Sequence, residues 1–131
     1  AVTGLAELYE IQNNKTKALA LLEGYQTQHG PKKMIAFQLG QSYLEMEKYD
    51  KAYKHLVVLE GFEPQNLNVK MKIALILIEQ KNYDNAISKL EEILTLSPTS
   101  DKVRFYLGAV HEETSNFSEA IYHFKKIEPT S

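Results

Sequence analysis

The chain has 131 residues, 44% of them hydrophobic and 24% charged, and its 15 basic and 17 acidic residues leave a net charge of −2. These are the proportions of an ordinary globular chain able to bury a modest core, and the interspersed signs lack the basic stripe with which nucleic-acid binders displace counterions. The absence of cysteine excludes disulfides, thiolate zinc sites and cysteine nucleophiles.

Taken in chain order, the apolar residues fall into paired helical sets. The opening "AVTGLAELYE" has neither the basic start nor the long apolar centre of a signal peptide. In residues 1–32, Leu5, Ala6 and Tyr9 form the first set, and Ala18 and Leu22 the second. In residues 33–66, Ala36, Leu39, Gly40 and Tyr43 share one helical face. Tyr49, Ala52, Tyr53, Leu56 and Leu59 follow as the partner face. Residues 67–100 repeat the scheme with Ile73, Ala74 and Leu77, then Ala86 and Leu90. Residues 101–131 do so with Leu107, Gly108 and His111, then Ala120 and Phe124. Thr16, Asp50, Asp84 and Ser118 stand before the second sets and are residue types that cap helix N-termini. The longest apolar run, Ile73 to Ile78, is far shorter than the roughly 20 residues needed to cross a bilayer. Membrane insertion is not expected, and a soluble, cytoplasmic chain is favoured.

One step relates all of these sets. Ala18, Ala52, Ala86 and Ala120 are each 34 residues apart, as are Ala6, Gly40, Ala74 and Gly108. Leu5, Leu39, Ile73 and Leu107 keep the same interval, and so do Leu22, Leu56, Leu90 and Phe124. Each unit is expected to be helix, short turn, helix, with small residues letting the two backbones approach. The pattern resembles the tetratricopeptide repeat, whose unit is 34 residues long. The matching features are the Leu-Gly/Ala pair, the aromatic three residues on (Tyr9, Tyr43), the aromatic before the second helix (Tyr49, Tyr83, Phe117), the alanine, and Pro64 and Pro98. Residues 33–66 and 67–100 match throughout. Residues 1–32 lack the unit's first two positions and carry Lys15 in place of the aromatic, while residues 101–131 reach Pro129 three residues early. The resemblance implies an all-α fold, a right-handed α-solenoid of stacked antiparallel helix pairs in a single domain over 1–131. The incomplete terminal repeats suggest a fragment of a longer array, which would need polar outer faces at its ends.

Members of this family line a concave groove with their first helices and bind a partner segment there. Helical spacing places Met34, Phe37, Gln41 and Leu44 on that face in the second repeat. Met71, Leu75 and Ile78 occupy it in the third, with Lys72 beside them. Lys102, Phe105 and Ala109 occupy it in the fourth, with Tyr106 beside them, whereas the first repeat offers Thr3, Glu7 and Glu10. Ile73, Ala74 and Leu77 are assigned to the core, and Ile76 to packing between repeats. The apolar members form the kind of patch that marks an interaction surface. Methionine and aromatic side chains suit a helical or extended peptide with apolar anchors. Phe37, Gln41, Lys72, Lys102 and Tyr106 fall where one subclass of the family grips the terminal carboxylate of chaperone tails with lysine, asparagine and arginine. Only the two lysines match, which argues against that ligand. Self-association through the groove or the ends is the alternative.

No catalytic, cofactor or metal residues are expected. His111–Glu112–Glu113 lacks a second histidine four residues on, which a zinc-protease helix requires. His111 also holds the position of Tyr43, which assigns it to the core, and His55 and His123 share a repeat position on second helices that makes them scaffold or outer surface. Glu45, Glu79 and Glu113 recur as a solvated ladder, and no phosphate loop, nucleophile elbow or triad spacing is present.

Overall fold

In the first helices that end near Glu47, Lys81 and Ser115 an apolar face stops at a left-handed residue, and that turn sets where the second helix begins. The structure, a computed structural model, describes residues 2–11 and 14–127, without the side chains of residues 2, 3, 9 and 10. The assignments of Thr3, Tyr9, Glu10 and Pro129 lie outside that part. The helices are α1 (Val2–Ile11), α2 (Lys15–His29), α3 (Lys33–Glu45), α4 (Tyr49–Phe62), α5 (Leu67–Glu79), α6 (Tyr83–Leu96), α7 (Asp101–Glu113) and α8 (Phe117–Lys125). There is no strand among the described residues. The chain divides into two compact halves, Ala1–Pro64 and Gln65–Ser131. In the first, α1 packs on α2, α2 on α3 and α3 on α4; in the second, α5 packs on α6, α6 on α7 and α7 on α8.

The turns inside the pairs share one geometry. Glu47, Lys81 and Ser115 have φ of 58°, 59° and 62°. After each, a backbone N–H reaches back across the helix end: Lys48 to Tyr43 O at 2.9 Å, Asn82 to Leu77 O at 2.8 Å, and Asn116 to His111 O at 2.7 Å. Glu47, Lys81 and Ser115 themselves donate to Leu44, Ile78 and Glu112 at 2.9–3.0 Å. This is the Schellman pattern, which satisfies the last carbonyls of a helix and usually uses glycine. It corrects the expected caps. The second helices start one residue earlier than Asp50, Asp84 and Ser118, with Lys48, Asn82 and Asn116 as N-caps that make no side-chain cap bond. Asp50 and Asp84 instead lie in the first turn, where a carboxylate favours the positive end of the helix dipole. Thr16 likewise lies inside α2, whose N-cap Asn14 accepts from Lys17 N. Side-chain caps also start α5 and α7: Asn66 accepts from Asn68 N and Val69 N, and Ser100 from Val103 N.

The cores follow the 34-residue step. Ala18, Ala52 and Ala86 are fully buried, and Ala120 nearly so. Leu39, Ile73 and Leu107 are equally closed off, whereas Leu5, placed in the same series, is 43% exposed on α1. Ile73, Ala74, Ile76 and Leu77 are all buried. A Cβ added at Gly40 would come within 3.0 Å of Leu56, and one at Gly108 within 2.5 Å of the Phe124 ring. The second half also buries Lys70 on α5, which pairs with Glu92 on α6; Lys89 Nζ lies 3.3 Å from the same carboxylate. The sequence reading did not mark this pair. Two stability tests follow from the turn and the glycines. Glu47→Gly and Lys81→Gly should each stabilise by about 0.5–1 kcal/mol in urea titrations, because glycine removes the left-handed strain at some cost in chain entropy. Gly108→Ala should destabilise by about 1–2 kcal/mol through overpacking. Gly24→Ala, where an added Cβ meets nothing within 4 Å on α2, should stabilise by about 0.5–1 kcal/mol.

Candidate partner-binding face

In the first half the face rests on α3. Its core side carries Ile35, Ala36, Leu39 and Tyr43, all buried. The side left over presents Met34 at 64% and Phe37 at 42% exposure. Gln41 and Leu44 are half-buried there. Gln41 Nε2 donates to Glu45 Oε1 at 3.2 Å, and Lys15 Nζ pairs with Glu45 Oε2 at 3.3 Å. These contacts, that from Gln41 first, hold the exposed Glu45 carboxyl below its ordinary range. Gln41 is therefore tethered along its own helix.

In the second half the face divides. Met71, Ile78 and Tyr106 are half-buried because they pack on the cluster of Ala74, Leu90, Ile93, Val103, Leu107 and Val110. Lys72, Leu75 and Ala109 are half-buried as well, and Lys102 is exposed. Phe105 is 54% exposed, with its ring 5.8 Å from Tyr106 and 6.2 Å from Phe124 between centroids. Phe37 and Phe105 occupy the same repeat position, and both remain outside the cores.

His111 is buried, as its core assignment expects, and the outer-surface alternative for His55 and His123 is corrected. His55 and His123 are buried, and each stacks on the residue twelve positions earlier, across the helix pair. Tyr43 and His55 have ring centroids 5.8 Å apart at 12°, and His111 and His123 are 5.7 Å apart at 5°. Tyr43 donates its hydroxyl to Glu23 on α2, and burial first, then that carboxylate, raises its pKa. His55 Nδ1 is buried with no hydrogen-bond partner, and burial lowers the His55 pKa from 6.5. The unfolded chain therefore takes up this proton more readily than the folded one, and stability falls as pH drops from about 6.5 through the folded value. Urea midpoints measured between pH 7.5 and 5.5 should decline, and His55→Phe should flatten that decline.

These helix pairs, with their 34-residue step and apolar first-helix faces, define an all-α repeat scaffold of the kind that binds other proteins. The tetratricopeptide-repeat family model matches residues 37–101, and the chain is a tetratricopeptide-repeat protein with the all-α solenoid fold of that class. Among solved structures it is similar to MamA of AMB-1, with a TM-score of 0.81 and 27% identity over 95% of this chain and 68% of that one. MamA of MSR-1 gives 0.76 and 28%, over 95% and 72%. A MamA RS-1 double mutant gives 0.74 at 15% identity, over 95% and 70%, a likeness of fold alone. Comparison with curated proteins gives no significant match. Scaffolds of this family are in general non-catalytic. No helix among the described residues is long and apolar enough to cross a membrane.

Proposed function

We propose that the first-helix faces bind a segment of a protein partner, helical or extended, through apolar anchors. Met34, Phe37, Gln41 and Leu44 form the contact in the first half. Met71, Lys72, Leu75, Ile78, Lys102, Phe105, Tyr106 and Ala109 form it in the second. The observation that carries this reading is the exposure of Phe37 and Phe105 at one repeat position. Burying the remaining exposed area of either ring under a ligand would contribute about 1–1.5 kcal/mol. Lys72 and Lys102 suit an acidic flank on such a segment. The reading is of a non-enzymatic scaffold, and the single domain over 1–131 is part of the same proposal.

Self-association is the second reading. It is favoured by Phe117, Ile121 and Phe124, an i, i+4, i+7 stripe on α8 whose members are 59%, 54% and 37% exposed. One experiment separates the two. The whole chain is screened against an array of amphipathic peptides with paired apolar anchors, and its mass is followed by light scattering over a concentration series. Peptide capture by a monomer, lost in Phe37→Glu and Phe105→Glu with helicity retained, is the expected result. A mass that rises with concentration and falls in Leu75→Glu would replace the peptide ligand with a second copy. Dissociation by Ile121→Glu instead would move the contact to α8.

A further inference from the structure

We propose that His111, Glu119 and His123 form a binding site for a borderline divalent transition-metal ion, such as zinc, within the α7–α8 pair. One donor atom from each side chain lies within 4.8 Å of the other two. Imidazole nitrogens and a carboxylate oxygen are the ligands that such ions take. Glu119 and His123 are one turn apart on α8 and share a face, with Glu119 Oε2 4.0 Å from His123 Nε2. His111 reaches them from α7 with its ring parallel to that of His123. Zinc bonds to nitrogen and oxygen are about 2.0–2.2 Å, so two ligands of one ion stand at most about 4.4 Å apart. The donor atoms need draw in by only a few tenths of an ångström, and the Glu119 side chain, 53% exposed, gives a path from solvent.

The second repeat provides an internal comparison. Its residues in the same register are Tyr43, Lys51 and His55. Tyr43 and His55 stack as His111 and His123 do, and Lys51 Nζ lies 5.4 Å from the centre of the Tyr43 ring. The ring stack is therefore a scaffold feature. What the fourth repeat adds is a second imidazole in place of phenol and a carboxylate in place of ammonium. At the Glu119 position the other repeats carry Lys17, Lys51 and Asn85, so the ligand set occurs once.

The surrounding groups decide which nitrogens bind. Arg104 Nη1 lies 3.4 Å from His123 Nδ1. Guanidinium can only donate, so Nδ1 accepts and Nε2 carries the proton toward Glu119. An incoming ion takes Nε2, the proton moves to Nδ1 through solvent, and the half-buried Arg104 side chain turns outward. Arg104 is thus a competitor of the metal. His111 Nδ1 lies 3.5 Å from the Asn116 amide. With its oxygen turned inward, that amide accepts Nδ1–H and frees Nε2, the outer support common to metal-bound histidine.

The test is calorimetric titration of the whole chain with zinc chloride, repeated with cobalt(II) followed by its visible absorption. Binding of one ion per chain is expected. Glu119→Lys and His111→Tyr, which install the second repeat's residues, should weaken binding at least about ten-fold without loss of helicity, and Arg104→Gln should tighten it. Absence of saturable binding overturns the site. So does binding that survives Glu119→Lys unchanged, since His29 or His55 would then hold the ion. If His111→Tyr lowers helicity, the exposed Glu119 position alone decides.

Discussion

The structure depends on how closely the two helices of each pair approach. Their backbones meet at alanine or glycine, and nothing larger fits: Ala52 is fully buried, and a Cβ at Gly40 or Gly108 would press on Leu56 or Phe124. At that spacing Leu39 and Leu107 are sealed from water, and the apolar area removed there is the main favourable contribution to folding. The same approach fixes which residues face each other across a pair. Residues twelve apart, such as Tyr43 and His55, are brought to stacking distance by it. The ring stacks and the His111–Glu119–His123 cluster are thus consequences of backbone spacing.

Much of this could be read from the sequence because a repeat prints each packing requirement several times. The alanine step and the Leu-Gly/Ala step located the helix pairs and most of the core, including Ile73, Ala74 and Leu77. The exposed positions of Met34, Phe37 and Phe105 also followed from helical spacing. Helix starts were less legible. Asp50 and Asp84 are good caps by type, but the left-handed residues Glu47 and Lys81 close the preceding helix so tightly that the next begins at Tyr49 and Tyr83. No glycine marked that turn.

The stacking of the histidines was less legible because it runs between helices: His111 has no histidine four residues on along α7, and the two-fold recurrence of residues twelve apart, Tyr43 with His55 and His111 with His123, was the signal available. Lys70 and Glu92 escaped similarly, since a charged residue at an inward position looks like a break in the pattern until its partner on the neighbouring helix is known. Half-burial of Met71, Ile78 and Tyr106 reflects the double use of first-helix residues, which lean on the core with one edge and leave the other free.

Lys70 also has a chemical consequence. Among the described residues it is the buried lysine, 5% exposed and held in a carboxylate ion pair. Acylating reagents attack a free, uncharged amine, so they meet the surface lysines at once and reach Lys70 only when α5 and α6 part. The rate at which that single amine becomes blocked is a clock for local opening of the second half, readable by mass spectrometry without any label built into the chain.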